Sequence, residues 1–273
     1  MEVARSRGRA EFVKSVETKL KYIVGTSGYS FRDWVGNFYP AGTRQGDMFG
    51  LYVNRFEAVE LNFTFYRMPT ADTLGRIARR SPAGFGFWVK ANQQTTHAQD
   101  RTVAGAFLDS LAPLREAAKL SGVLLQFPQS FHRTVANRKY LAAALEDFAS
   151  APLAVEFRHG SWDDPAVFSG LGERNVTLVI PDVPDLPGLF RPEIAATTRT
   201  GYFRLHSRDA DKWYAGAAER YDYSYSPAEM TAAIEAWERL ADQMDAVHVF
   251  FNNCHGGQAA ENAEAFRRIL GQL

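Results

Sequence analysis

The chain has 273 residues and 46% hydrophobic content, enough to bury a large core as one α/β barrel or two smaller domains. Lysine plus arginine equals aspartate plus glutamate at 31 each, so the formal net charge is zero and gives no electrostatic reason to expect non-specific binding to nucleic acid or an anionic membrane. Cys254 is the only cysteine, which excludes an intrachain disulfide and a zinc site built on several thiolates and fits a reducing cytosol.

No apolar run reaches the length of a membrane span. The first twenty residues mix Arg5, Arg7, Arg9, Lys14 and Lys19 with acids and lack the apolar core of a signal peptide. They read as a flexible basic extension, with a basic partner-binding arm as the alternative, ahead of one domain over residues 21–273.

Tyr22-Ile23-Val24-Gly25-Thr26-Ser27 is the first strand, followed by a loop rich in glycine and aromatics and a short helix opened by Asp47 and ending near Arg55. Ala58 to Pro69 alternates strictly, with Val59, Leu61, Phe63 and Phe65 on one face and Glu60, Asn62, Thr64 and Tyr66 on the other. That is the pattern of a second strand, closed by Pro69. A helix starts at Pro69-Thr70 with Leu74 and Ile77 on its apolar side. The third strand spans Gly84 to Ala91, and a helical stretch from Val103 to Leu120 is broken or kinked by Pro113.

Gly122 to Phe127 is the fourth strand, with a helix over Asn137 to Ala149 behind it. Leu153 to His159 is the fifth, with a helix opening at Asp164-Pro165. Val176 to Asp182 is the sixth, and Pro187 to Ala195 forms a short irregular or helical piece. Tyr202 to His206 is the seventh, followed by about twenty residues without helical pattern and a helix from Pro227 to Gln243. Val247 to Asn252 is the eighth strand, and Gly257 to Leu273 the last helix. Eight strands alternating with helical segments, with no break in composition, predict a single (β/α)8 TIM barrel with its site at the C-terminal ends of the strands. No Gly-x-Gly-x-x-Gly follows the first strand, which weakens a dinucleotide-binding reading.

In such a barrel one face of each strand meets the helices and the other points inward. The apolar face of each strand assigns Glu60, Asn62, Thr64, Lys90, Gln126, Glu156, Arg158, Asp182, Arg204, His206, His248 and Asn252 to the interior. Most lie near the C-terminal ends of their strands. Five of six histidines, including His159, stand at or just beyond such ends, and the loop after the seventh strand carries Trp213, Tyr214, Tyr221, Tyr223 and Tyr225. Buried charges can pair with each other, yet so many ionic groups at one end carry a desolvation cost that apolar residues would avoid. A polar pocket is the better account.

Seven blocks carry a resemblance in the order Gly25-Thr26-Ser27-Gly28-Tyr29, Val59 to Tyr66, Val89-Lys90, Leu125-Gln126-Phe127-Pro128, Glu156-Phe157-Arg158-His159-x-Ser161-Trp162, Arg204-Leu205-His206 and Phe251-Asn252-Asn253. The chain from about Tyr22 onward resembles the YecE-like domain-of-unknown-function family. Two departures are Tyr29, where a tryptophan is usual, and Phe63, where a serine is usual. The resemblance implies a TIM barrel and no settled activity; the comparison of some members with apurinic-site endonucleases is an analogy of fold.

The residues support an enzyme, of hydrolase, lyase or isomerase type, on a small polar or anionic substrate. Glu60 and Glu156 are the acid/base candidates, because a carboxylate inside a pocket can have its pKa raised. Lys90 and His206 complete the catalytic set. Lys90, Arg158 and Arg204 would hold a carboxylate or phosphate. Thr26, Asn62, Tyr66, Gln126, His159, Asp182 and Asn252 would orient the substrate, with Trp213 and the loop tyrosines closing over it. No cofactor or metal is expected. The alternatives are a divalent-metal hydrolase or isomerase using Glu60, Glu156, Asp182 and His206, and a nucleic-acid or phospholigand binding module, which zero net charge disfavours. Cys254 reads as a passive thiol.

Overall fold

The computed structural model describes residues 16–273. Eight parallel strands, β1 (Lys21–Thr26), β2 (Ala58–Leu61), β3 (Gly86–Lys90), β4 (Leu120–Gln126), β5 (Leu153–Glu156), β6 (Val176–Asp182), β7 (Thr200–Leu205) and β8 (Ala246–Phe251), pair in the order β1-β8-β7-β6-β5-β4-β3-β2. Parallel neighbours need crossovers, and most crossovers here contain helices whose starts the sequence signals. Thr70 and Thr134 cap Ala71–Arg80 and Val135–Asp147, Asp164 caps Pro165–Gly172, and Ser226 with Glu229 forms a reciprocal capping box on Pro227–Glu238. The result is a nearly closed (β/α)8 barrel. No helix among the described residues is long and apolar enough to cross a membrane.

Of the extension expected over residues 1–20, residues 1–15 lie outside the described part. Val16 donates to the Ile269 carbonyl at 2.9 Å and Lys19 N–H to Glu238 at 2.8 Å, so the domain is already anchored two to five residues before β1.

Several expected boundaries move. The helix expected to open at Asp47 begins at Gln45, and Asp47 instead lies in its first turn, ion-paired to Arg44. The Val103–Leu120 stretch divides at Leu111 into Ala104–Ser110 and Ala112–Glu116, with Pro113 in the first turn of the second piece, where its missing N–H is harmless. Between β6 and β7 the chain is irregular, and the Thr197 hydroxyl serves the start of β6, accepting from Leu178 N–H and donating to the Val176 carbonyl, both at 2.8 Å.

The largest correction concerns β2, which stops at Leu61. Asn62 is helical in backbone, and Phe63–Tyr66 forms one helical turn. The Thr64 hydroxyl can bond the carbonyls of Leu61 (3.0 Å) and Lys90 (2.6 Å), a local bonding that competes with strand geometry and ties the turn to β3. The alternation beyond Leu61 therefore has no structural meaning: Phe63 and Tyr66 are exposed, the latter by 75%, and Phe63 is not on the helix-facing side. β5 likewise ends at Glu156, not His159. In β6, Leu178 and Ile180 pack on the helix side while Val179 enters the lumen, so Asp182 does not share the interior parity expected for it.

The lumen is built in layers, as the alternation of a barrel strand requires. A middle layer of Ala58, Trp88, Leu124, Ala154, Val179, Tyr202 and Phe250 is apolar apart from two polar tips. Trp88 fits because β4 carries Gly122 beside it; a Cβ there would stand 2.4 Å from the indole and 2.7 Å from the Pro152 carbonyl. At the β1–β2 seam the strands touch through one bridge, Ser27 to Glu60, with Gly28 N–H donating to the Glu60 carbonyl at 2.8 Å. Below it the Tyr52 hydroxyl stands in for the missing ladder, accepting from Thr26 N–H (2.9 Å) and donating to the Ala58 carbonyl (3.0 Å). Gly25 permits this approach, since its Cβ would lie 2.2 Å from the Ala58 oxygen. Gly25→Ala is therefore expected to destabilise by at least about 1–3 kcal/mol, the usual overpacking range, because backbone is the obstacle. Urea denaturation measures it, and an unchanged midpoint would mean that the seam is looser than drawn.

Candidate active site

Above the apolar layer the inward side chains turn polar together. Glu60 ends one residue before β2 does, Lys90 is the last residue of β3, Gln126 of β4 and Glu156 of β5, while Arg204 is the penultimate residue of β7. Parallel register aligns these ends; Gln126 lies directly beside Glu156. The chemistry gathers at the C-terminal mouth because those ends are where each strand hands over to a loop.

Arg204 is the centre of the group. It is 1% exposed, and its guanidinium binds Glu60 Oε1 through Nη2 at 2.6 Å and Glu156 Oε2 through Nη1. Tyr202, two residues earlier on the same face, donates its hydroxyl to Glu60 Oε2 at 2.5 Å. Both Glu60 oxygens are thus engaged. Arg158 Nε lies against Glu156 Oε1 in an ionic contact that lacks the aligned geometry of a hydrogen bond. Burial opposes ionisation of Glu156, but Arg158 and Arg204 outweigh it and hold the carboxyl well below the usual carboxylate range. The expectation of a raised Glu156 pKa is therefore reversed: this carboxylate is fixed as an anion.

His206 is fully buried, with Nε2 3.4 Å from Glu156 Oε1 and Nδ1 2.8 Å from the Asn252 amide. Burial first, then Arg158, lower its pKa to about 3, so the ring is neutral. With the Asn252 amide nitrogen as donor, Nδ1 accepts and the proton sits on Nε2 facing Glu156. His206 and Asn252 thus brace Glu156 from behind.

Lys90 differs from the rest of the mouth. Among the described residues its Nζ has no hydrogen-bond or ion-pair partner; it stands 4.2 Å from the centroid of the Phe65 ring. Desolvation lowers its pKa to about 7; Arg204 and Arg158 push the same way, and Glu156 and Glu60 oppose them. Arg158 keeps both terminal nitrogens uncommitted among the described residues. Three further buried polar atoms lack partners near the strand ends, Ser27 Oγ, Asn62 Oδ1 and Thr95 Oγ1.

Not every candidate joins this group. Thr26 is fully buried and its hydroxyl donates to the Gly28 carbonyl at 2.6 Å, so it serves the seam. Tyr66 points outward. Gln126 spends its amide on the Phe127 carbonyl at 2.7 Å. His159 stacks on His132 with centroids 3.7 Å apart, at the rim. Asp182 is gripped by Arg208 and by the Tyr225 hydroxyl, at 2.6 Å and 3.1 Å. Trp213 is buried with Val183 and Leu189 under the Arg220 guanidinium and supports the loop; Tyr214 is the exposed aromatic there. Cys254 is a desolvated thiol whose pKa is pushed up, and its Sγ donates to the Ser27 carbonyl at 3.5 Å.

Tyr202 and Phe65 were missed. Tyr202 had a signal, its parity with Arg204; Phe65 had none, because the strand reading sent it to the helix side. Among the described residues no group of three or more metal-ligating side chains comes together, and Arg204 occupies the space between the two carboxylates.

A cavity of about 1280 Å3 opens at the opposite end of the barrel, bordered by Ile23, Trp88, Thr177, Thr200 and His248. None of the mouth residues above borders it.

A family described as protein of unknown function, DUF72, matches residues 23–273. The UPF0759 protein YunF of Bacillus subtilis (strain 168) is 28% identical over 271 residues, covering 90% of this chain and 94% of that protein. The crystal structure of a DUF72 family protein (TM1631) from Thermotoga maritima MSB8 is 37% identical with a TM-score of 0.85, covering 92% of this chain and 99% of that one. A DUF72 family protein (EF0366) from Enterococcus faecalis V583 is 29% identical with a TM-score of 0.79, covering 92% and 95%. The seven signature blocks and these matches agree, and the chain belongs to the DUF72 family.

Proposed function

We propose that the barrel mouth is an active site for a small anionic or hydroxylated substrate, with Arg158 binding its negative charge and Lys90 exchanging the proton. The observation that carries this reading is the pattern of pairing: Arg204 neutralises both carboxylates in part, Arg158 leans on one of them, and Lys90 is left over. Three cations face two carboxylates, so an anion completes the charge balance. Acid/base work passes from Glu60 and Glu156, which are held by their partners, to Lys90, whose lowered pKa of about 7 suits proton exchange near neutral pH.

A thermal-shift screen with inorganic phosphate, sugar phosphates and small carboxylic acids tests it. A ligand at about a hundred times its Kd adds roughly 2.7 kcal/mol, or several degrees at about 2–4 °C per kcal/mol. The shift is expected to vanish in Arg158→Ala and to shrink in Lys90→Met. It should also weaken as pH rises through about 7, where the amine loses its charge. Full retention of binding in both variants would remove the mouth from consideration. Short single-stranded DNA is the comparator: a DNA shift that collapses with salt, without any small-anion shift, would favour the binding-module reading.

A further inference from the structure

We propose that Lys90 is a nucleophile that forms an imine with substrate, and that the substrate is an aldehyde or ketone carrying an anionic group. This rests on the reading of the mouth as an active site and deepens it by naming the reacting bond.

The argument starts from commitment. Glu60 has both oxygens engaged, Glu156 has Arg204 and Arg158, and Asp182 has Arg208. His206 is enclosed with its nitrogens turned to Asn252 and Glu156. Among the described residues of the mouth, the amine of Lys90 and the hydroxyls of Ser27 and Thr95 are uncommitted, and of these only the amine is a nucleophile near neutral pH without a base to activate it. Its carbonyl accepts from Thr64 at 2.6 Å, which fixes the base of the side chain, and the Phe65 ring supplies an apolar platform 4.2 Å from the nitrogen. A desolvated amine among cations keeps a substantial neutral fraction near pH 7, and only the neutral amine attacks a carbonyl.

The surroundings fit the rest of such a substrate. The free fork of Arg158 suits a phosphate or carboxylate. Asn62 Oδ1, just past β2, and Thr95 Oγ1, just past β3, are partnerless polar atoms beside the lysine's strand, Thr95 1% exposed, and can bond the oxygen released from the carbonyl or a neighbouring hydroxyl. In the step itself, the Nζ lone pair forms a bond to the carbonyl carbon and the π pair moves to oxygen, which is protonated to give a carbinolamine. The carbon–oxygen bond then breaks and water leaves, carrying two of the three protons of the original ammonium. A protonated imine remains, and no electron is gained or lost.

Pyridoxal 5′-phosphate, an aldehyde with a phosphate, is the probe, and pyridoxal is the control. Full-length protein is incubated with each, reduced with borohydride and mapped by mass spectrometry. The expected result is about one adduct per chain, on Lys90 in preference to Lys119, Lys139 and Lys212. Labelling should be at least about tenfold weaker with pyridoxal, reduced by inorganic phosphate, and about tenfold weaker in Arg158→Met. Labelling spread over surface lysines, with Lys90 no faster than the others in folded wild-type protein, would overturn the proposal. If phosphate still protects the fold through Arg158 while Lys90 stays unlabelled, the imine fails and the anion site stands. If neither phosphate binding nor labelling occurs, both fail.

Discussion

Arg204→Met is expected to lose about 3–5 kcal/mol of stability, the cost of breaking a buried ion pair by removing one partner. Against a total of about 5–15 kcal/mol for an ordinary domain, that leaves a marginal protein. The physical reason is that the substitution deletes the only cation among the described residues that touches both Glu60 and Glu156, each of which is fully buried. Arg158 contacts only Glu156, and the Tyr202 hydroxyl on Glu60 is neutral. The triple variant Arg204→Met, Glu60→Gln, Glu156→Gln should recover much of the loss, since it removes the charges with their partner. Guanidinium denaturation of both variants checks this. A single variant losing less than about 1 kcal/mol would mean that water reaches the carboxylates and that the mouth is wetter than its burial indicates.

Legibility in the sequence followed the physics of each element. Wherever a strand is flanked by helices on one side and a narrow lumen on the other, the apolar positions mark the outer face, and Glu60, Lys90, Gln126, Glu156 and Arg204 could be read inward by alternation alone. Parity failed at two places for opposite reasons. In β6 both faces are apolar, so Leu178, Val179 and Ile180 give no phase, and Asp182 was assigned to the wrong side. After Leu61 the alternation continues although the strand does not, because the hydroxyl bonds of Thr64 override strand propensity, and so Phe65 was sent away from the lysine it supports. Alternation also cannot tell a paired carboxylate from a free one. That Glu156 is clamped and Lys90 is not depends on geometry between distant strands, with Arg204 reaching Glu156 across 48 residues and Glu60 across 144. The lone cysteine and zero net charge set broad limits on chemistry without reaching the site at all.

Acidification below pH 6.5 is expected to destabilise the protein steeply, and two buried histidines set the slope. His206 and His248 are held neutral in the fold with pKa values lowered from 6.5 to about 3 and about 4, chiefly by burial, with Arg158 acting on the first and Lys21 on the second. His248 sits edge-on to Trp88, with ring centroids 5.6 Å apart, and its Nδ1 has no described partner. Because the folded pKa is below the unfolded one, the unfolded chain binds more protons between the two values, so this stabilisation is complete above about 6.5 and drains away as pH falls towards 4. One pH unit per proton is about 1.4 kcal/mol, which gives about 3 kcal/mol for each ring by pH 4. Lys90 acts in a different window with the same sign: its pKa is lowered from 10.5 to about 7, so unfolded protein takes up the extra proton between those values and its contribution grows as pH rises above 7. Urea titrations from pH 8 to pH 4 isolate the histidine limb. His248→Phe, which keeps an aromatic ring in the middle of the lumen and removes the titration, should roughly halve the acid slope while leaving stability at pH 8 little changed. A wild-type curve that stays flat from pH 6.5 to pH 4.5 would mean that both rings protonate in place, and the neutral His206 that braces Glu156 would have to be abandoned with it.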